Sequence, residues 1–298
     1  MKSIVKHSNR KAAFTIIELL TVMSIIVILI GVLVPALNNV RKYAQKVKQK
    51  TQLHSIQQSI ELFYNENDGY PPSGALDGNN QPYCGAMKLC EAMMGQDLLG
   101  FHPDSAFRAD GMDLAGVRNL YIPDPDNIKA RMGPFLQLDN ANAYRLRDIY
   151  GSGQTSPFQE NLVVLCDEYT RQMRTGMKVG MPILYYKAET SNNLHDIDLA
   201  PTPTENNGNV YNYWDNHALV GLGKPWETGL SKHKLYEDLE ADPPEPQGFR
   251  FYKNTMNDKI TTVRRPYRSD SFILLSAGYD GEYGTADDVV NFEWRYRE

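Results

Sequence analysis

The longest apolar stretch of the chain covers residues 14–37, and Glu18 is its only charged residue. An α-helix rises 1.5 Å per residue, so about 20 apolar residues are enough to cross the hydrocarbon layer of a membrane. The stretch therefore predicts a membrane-crossing helix. A carboxylate inside such a helix is costly unless it is paired, so we expect Glu18 to meet a partner.

The helical pattern continues beyond the apolar stretch, over residues 38–64, without Gly or Pro. Apolar residues recur there at roughly helical spacing, and the opposite face is basic. The predicted apolar face consists of Val40, Tyr43, Val47, Ile56, Ile60 and Phe63. Asn, Asp and Gly gather at 65–69, and Pro71 and Pro72 follow, so the helix is predicted to end there.

The rest of the chain reads as short strands among long loops. Apolar runs at 162–165, 182–186 and 271–278 predict strands, and a short helix is predicted near 86–99. Loops rich in Pro are expected at 199–209 and 242–246, either passive or in contact with a partner. The pattern predicts an α+β fold, in which the long helix packs on an antiparallel sheet within a globular head (65–298) that carries a large irregular insertion.

Composition narrows the possible functions. The net charge of −5, without a broad basic surface, argues against nucleic-acid binding. The histidines stand apart, and we find no zinc-protease, nucleophile-elbow or phosphate-loop motif, so we predict no catalysis. If the head lies outside the cytoplasm, Cys84 and Cys90 are the candidate disulfide; three ordinary reduced cysteines are the alternative.

A basic leader, residues 1–13, precedes the apolar stretch, and the segment KAAFTIIELL at 11–20 resembles the processing and methylation site of type IV prepilins and pseudopilins. The resemblance implies that a prepilin peptidase cuts between Ala13 and Phe14 and methylates the new amino terminus. It gives Glu18 the role of neutralising the amino terminus of a neighbouring subunit, and it matches Pro35 to a proline that loosens the pilin helix. The family usually has Gly where this chain has Ala13, so we expect slower cleavage.

Two further segments resemble the major pseudopilins of type II secretion: the helix exit YNENDGYP at 64–71 and the acidic, Gly-rich segment 279–289. In that family, calcium holds the C-terminal loop, here 276–290, in place. The resemblance makes Asp280, Asp287, Asp288 and Glu282 the candidate calcium ligands, and a Gly-rich acidic loop suits calcium chemistry. A plain hairpin with a two-residue turn at Asp280 and Gly281 is the alternative.

The resemblance covers only the two ends of the chain. It implies a pilin-like fold and a structural subunit of a type II secretion or type IV pilus-like filament, inserted in the inner membrane with a cytoplasmic N-terminus and a periplasmic head. Its implied partners are prepilin peptidase, other pilin or pseudopilin subunits, the inner-membrane assembly platform and membrane lipid. The alternatives are a pilus subunit whose enlarged head binds a surface, a sugar or DNA, for instance around Arg264 and Arg265, and a membrane-anchored enzyme.

Overall fold

The computed structural model describes residues 15–229 and 231–293 of the chain and shows a mixture of α-helices and small antiparallel sheets. The chain divides into two compact units, Met1–Ala44 and Gln45–Glu298. Ala13 and Phe14, the two residues at the predicted cleavage site, lie outside the described residues.

Helix α1, Ile16–Asn67, contains residues 16–37 of the apolar stretch and the continuation of the stretch in a single helix, as the pattern predicts. Its apolar N-terminal part is exposed, and the helix is long and apolar enough to cross a membrane. Pro35 lies inside α1. Because proline has no N–H, the carbonyl of Gly31 receives no helical hydrogen bond from it. The helix ends where predicted, and Asp68 follows in a left-handed conformation with φ of 53°.

The part of α1 in the second unit buries one stripe at helical spacing. The stripe consists of Gln49, Gln52, Leu53, Ile56, Ser59, Ile60 and Phe63. Of the predicted apolar face, Ile56, Ile60 and Phe63 belong to this buried stripe. Val40, Tyr43 and Val47 of the same face are exposed, since the buried contacts of α1 begin only at Gln49.

The second unit contains seven short strands among the described residues: Ala143–Arg145 (β1), Val163–Leu165 (β2), Arg171–Gln172 (β3), Lys178–Val179 (β4), Leu184–Lys187 (β5), Phe272–Ser276 (β6) and Val289–Val290 (β7). The main sheet has three antiparallel strands in the order β5, β6 and β7. The pairs β1–β2 and β3–β4 form two separate antiparallel ribbons. The three predicted strands correspond to β2, β5 and β6. Although β5 and β6 are neighbours in the sheet, residues 188–271 separate them in sequence.

A short, fully buried helix lies at the centre of the second unit. It is α2, Gly85–Met94, and it confirms the helix predicted near 86–99. A Cβ atom at Gly85 would lie 2.3 Å from the carbonyl oxygen of Tyr185, so only glycine lets α2 begin against β5. The other helices are α3 (Pro125–Ala130), α4 (Leu138–Ala141), α5 (Leu146–Tyr150), α6 (Trp214–Val220), α7 (Phe249–Thr255) and a 3-10 turn at Ile197–Leu199.

Helix α2 contributes to two hydrophobic clusters. Leu89 and Met93 belong to the cluster that contains Ile60 and Phe63 of α1. Met87 belongs to the other cluster, which is rich in aromatic side chains from the insertion and the C-terminal loop. A long N-terminal apolar helix combined with a small antiparallel sheet is compatible with a pilin-like α+β layout.

The candidate disulfide is not formed. Cys84, Cys90 and Cys166 are all free and buried. Cys84 immediately precedes α2 and Cys90 lies within it, and a separation of six residues puts two helical side chains on different sides of the axis. Their side chains accordingly belong to the two different hydrophobic clusters, so the prediction of a bridge between them is wrong.

Candidate functional sites

The first candidate site is the start of α1, where Thr15 and Glu18 bind each other. The backbone N–H and the hydroxyl of Thr15 donate to Glu18 Oε2 at 2.9 and 2.7 Å, and the N–H of Glu18 donates to Thr15 Oγ1 at 3.2 Å. This reciprocal pair is a capping box. The sequence Thr-Ile-Ile-Glu carries its signature, which the sequence analysis missed.

The two assembly candidates on α1 lie far apart along the helix. Glu18 lies in the first turn, whereas Pro35 lies 17 positions further along, about 26 Å at 1.5 Å per residue. Both are exposed. Glu18 lies at the end of α1 where the helix dipole favours negative charge, while Pro35 changes only the local backbone hydrogen bonding.

The second candidate site is the acidic loop, residues 277–288, which joins β6 to β7. A two-residue hairpin turn at Asp280 and Gly281 is therefore wrong, because the connection is much longer. Gly278, Gly281 and Gly284 all have positive φ, between 68° and 93°. A Cβ atom at Gly278 would lie 2.2 Å from the carbonyl oxygen of Asp287, so this glycine lets the two ends of the loop approach each other.

Asp280 and Asp287 come together within this loop. The hydroxyl of Thr285 lies 2.9 Å from Asp280 Oδ2 and 2.7 Å from Asp287 Oδ1, and the N–H of Asp280 donates to Asp287 Oδ2 at 2.9 Å. Burial, reinforced by the neighbouring Asp287, raises the pKa of Asp280 to about 6. Although burial opposes it, hydrogen bonds from Thr285 and from the Asp280 N–H lower the pKa of Asp287. The pair thus concentrates negative charge at one place.

The other two candidate ligands point elsewhere. Glu282 forms an ion pair with Lys224 at 2.9 Å. Asp288 is buried; its Oδ2 accepts from the N–H of Gly284 at 2.8 Å, and its Oδ1 has no hydrogen-bond partner among the described residues. Burial raises the pKa of Asp288. Within residues 15–229 and 231–293, no group of three or more His, Cys, Asp or Glu side chains is arranged to hold a metal.

Contacts with Pro182, Trp226 and Leu235 hold the acidic loop in place. Tyr283 is fully buried, its hydroxyl donates to the carbonyl of Pro182, and its own carbonyl accepts from the N–H of Leu235 at 2.9 Å. A Cβ atom at Gly281 would lie 2.8 Å from the ring of Trp226, so glycine also permits this close contact. These contacts anchor the loop at its middle.

Arg264, named above as a possible DNA contact, and the buried His195 are both engaged in structural contacts. Arg264 pairs with Asp196 and lies 3.6 Å from Asp198, so acids offset its charge. His195 is completely buried, and its Nε2 lies 2.7 Å from Thr255 Oγ1. Burial lowers the pKa of His195 to about 3, so it is a neutral side chain of the interior.

The polar members of the α1 stripe bind backbone groups of the head, and the sequence analysis missed them. Gln49 accepts from the N–H of Glu168 at 2.7 Å, Gln52 donates to the carbonyl of Cys166 at 2.8 Å, and Ser59 donates to the carbonyl of Phe135 at 2.9 Å. Their helical spacing with Ile56 and Ile60 was the available signal. They fix the position of this part of α1 against the head.

Comparisons of the chain with protein-family models, with curated proteins and with solved structures give no match.

Proposed function

We propose that this chain is a structural subunit of a type II secretion or type IV pilus-like filament, cut by a prepilin peptidase before Phe14 and assembled through α1. One observation carries the proposal: α1 begins with an exposed apolar part whose single acid, Glu18, lies in the first turn, and the same helix continues to Asn67. A plain membrane anchor accounts for the length of the apolar stretch but would use Glu18 only as the cap of its own helix.

The proposed assembly uses Glu18 as a charge partner. Cleavage before Phe14 creates a positively charged amino group, and the Glu18 of a neighbouring subunit would neutralise it within the apolar bundle. Glu18 would then exchange its contacts with Thr15 for the neighbour's amino group. Helices packed in any other register would leave two buried charges unpaired, so the pair would set the register of the filament.

The same proposal implies where the chain is located and which proteins it meets. Before assembly the chain would be a single-pass inner-membrane protein, with the N-terminus in the cytoplasm and the head in the periplasm. It would meet the peptidase first and then the assembly platform and other pilin or pseudopilin subunits. Membrane lipid would surround residues 16–37 until the helix enters the filament.

Mass spectrometry of the amino terminus tests the proposal. We expect the mature protein to begin at N-methylated Phe14. Restoring the usual family residue with Ala13→Gly should speed processing, whereas Ala13→Leu should block it, because the peptidase site takes a small residue before the cut. An intact Met1 on protein recovered from assembled filaments would overturn the proposal.

We also propose that the acidic loop binds calcium through Asp280 and Asp287. The supporting observation is that two carboxylates approach one hydroxyl, Thr285 Oγ1, which has a single hydrogen and cannot donate to both. Calcium takes six to eight oxygen ligands, so backbone carbonyls and water would supply the remainder. Glu282 and Asp288 are weaker candidates in this geometry, because Glu282 binds Lys224 and Asp288 is buried.

Thermal unfolding with and without calcium tests this second proposal. We expect millimolar calcium to raise the melting temperature of the wild type, magnesium to raise it less, and Asp287→Asn to abolish the difference. Asp270→Asn, outside the loop, is the matched control and should keep the wild-type response. An unchanged melting temperature in millimolar calcium would remove the claim and leave the filament proposal intact.

A further inference from the structure

A groove lies beside β7 in the second unit. The cavity has a volume of about 930 Å³ and is lined on one side by α1 residues and on the other by β7 and the residues that follow it. Val290 and Phe292 are half-buried and supply apolar surface, Leu53 and Val289 are buried, and the exposed Lys46 and Lys50 stand on α1. Such a combination of apolar and charged side chains can hold a segment that carries both kinds of group.

The groove carries two lysines that have no ion-pair partner among the described residues. Lys46 and Lys50 are exposed and unpaired there, whereas Lys48 between them pairs with Glu168 at 2.6 Å. Of the acids that line the groove, Glu293 pairs with Lys259 at 2.7 Å and Asp288 is buried, while Asp258 accepts a hydrogen bond from the uncharged hydroxyl of Tyr267 at 2.7 Å. An acidic occupant would therefore find its ion-pair partners at Lys46 and Lys50.

One edge of β7 also faces no other strand of the described chain. Its pairing with β6 joins Val290 to Leu275 and Val289 to Ser276, and β7 is the last strand of its sheet. An edge strand offers backbone N–H and C=O groups to an incoming segment. An occupant of this groove could therefore combine acidic side chains, an apolar side chain and backbone hydrogen bonds.

The chain itself carries a segment with these properties, residues 239–244 (LEADPP), which we call the presented loop. Leu239 is 68% exposed, Glu240 and Asp242 are exposed, and the loop contains no basic residue. Pro243 and Pro244 restrict its conformations and so reduce the entropy lost on binding. The groove and the presented loop share no residue.

A buried arginine holds the base of the presented loop. The N–H of Glu245 donates to the carbonyl of Asp238 at 3.1 Å and closes the loop. The guanidinium of Arg250 lies 2.5 Å from Asp238 and 2.9 Å from Glu245, and its side chain is only 6% exposed. Burying such a triad gains little stability compared with apolar residues, but it fixes geometry. The loop is thus displayed in a defined shape with Leu239 outward.

We propose that the presented loop of one copy binds the groove of a second copy, with Leu239 against the apolar wall and with Glu240 and Asp242 towards Lys46 and Lys50. The choice of a second copy as partner rests on the proposed filament function. Because the two surfaces differ, the contact is heterologous, and its repetition builds a ring or an open helical polymer rather than a closed dimer.

Cysteine cross-linking between full-length copies in membranes tests the contact. A tagged copy with Glu240→Cys and an untagged copy with Lys50→Cys should form a mixed disulfide on mild oxidation; the native cysteines are buried and add little background. Leu114→Cys, at a side chain that is 83% exposed, is the matched control for Glu240→Cys and should not cross-link to Lys50→Cys. Cross-linking no stronger than this control overturns the proposal.

Charge reversal gives an independent readout. We expect Lys46→Glu together with Lys50→Glu to reduce copurification of a tagged with an untagged copy about tenfold, equivalent to about 1.4 kcal/mol. Adding Glu240→Lys and Asp242→Lys to the same chain should restore it, since the two charge patterns are then exchanged. Failure of this restoration contradicts the contact.

The results of these experiments distinguish failure of this contact from failure of the proposed filament function. Ordered wild-type polymers without the cross-link overturn the contact and leave the filament proposal standing. A cross-link in a chain whose amino terminus is never processed supports the contact and overturns processing. A chain that neither polymerises nor cross-links overturns both.

Discussion

Thr15 and Glu18 cap the first turn of α1 reciprocally, through the backbone N–H and hydroxyl of Thr15 and the carboxylate of Glu18. A capping box gives Glu18 a role within one chain, since it satisfies N–H groups that a helix start leaves unpaired. The proposed role between subunits depends instead on its negative charge. Substitutions that separate hydrogen bonding from charge therefore distinguish the two explanations.

We expect Glu18→Gln to insert into the membrane and yet fail to form ordered polymers, because it keeps a cap acceptor but cannot neutralise a neighbour's amino terminus. Glu18→Leu should behave in the same way. Thr15→Val removes the capping hydroxyl and keeps the acid, so its polymers should be ordered. Electron microscopy and sedimentation of membrane-extracted material measure this, and normal fibres from Glu18→Gln would contradict the charge role.

The buried stripe of α1 predicts a sharp contrast within one helix. Ile60 is completely buried, so Ile60→Ala should lower the free energy of unfolding by about 2–5 kcal/mol through lost burial and a residual cavity. Tyr43 is 72% exposed, so Tyr43→Ala is the matched control and should change stability by less than about 0.5 kcal/mol. Chemical denaturation of the full chain in detergent measures the free energy of unfolding of both variants. Equal losses of stability would contradict the assignment of Ile60 to the buried face and of Tyr43 to the exposed face of α1.

Three free, buried cysteines predict a simple thiol titration. In the folded protein the thiols should react very slowly, because they are inaccessible and burial raises the pKa of Cys84 to about 11. Protein isolated without reductant and then unfolded should show three reactive thiols per chain. A single reactive thiol in the unfolded protein would instead indicate that a disulfide forms in the cell.

His195 predicts a loss of stability in acid. Burial lowers its pKa from 6.5 to about 3, so the folded state holds it neutral. Its stabilising contribution is complete above pH 6.5 and is lost as the pH falls towards 3, by at most about 1.4 kcal/mol for each pH unit. Buried Asp215, with its pKa raised to about 7 by burial, works in the opposite direction.

One substitution separates the contribution of His195 to the pH dependence of stability from the contribution of the buried aspartates. His195→Gln keeps a donor for Thr255 but cannot titrate, so the wild type should lose more stability than the variant between pH 6.5 and 4. Free energies of unfolding from denaturant titrations at several pH values give the difference. Parallel curves for the two proteins would show that His195 titrates normally.

The elements predicted from the sequence are those that local patterns encode. Helix α1, its end near Asn67, the helix α2 and the strands β2, β5 and β6 all follow from periodicity and from Gly, Pro and Asn at their ends. Burial along α1 was predicted less well. The helical spacing of Gln49 and Gln52 with Ile56 places them on the buried face, but the backbone groups that satisfy their side chains belong to loops of the head, whose position the sequence pattern does not predict.

In the acidic loop, too, the sequence predicts the residue types but not which of them come into contact. Its glycines and acids are visible in the sequence, and so is the possibility of calcium. Which acids meet is decided by the folded contacts: Lys224, distant in sequence, pairs with Glu282, whereas Thr285 within the loop lies between Asp280 and Asp287. Likewise, Cys84 and Cys90 looked like a short-range pair until the helix between them placed their side chains on different sides.

The order of strands in the main sheet has a consequence for biosynthesis. β6 is the central strand, but it begins only at Phe272, after the whole insertion has been made. Until the ribosome has added it, β5 has no partner in the sheet and the α1 stripe lacks part of its packing surface. Nascent chains should therefore remain sensitive to protease until a late stage of translation and then become resistant abruptly.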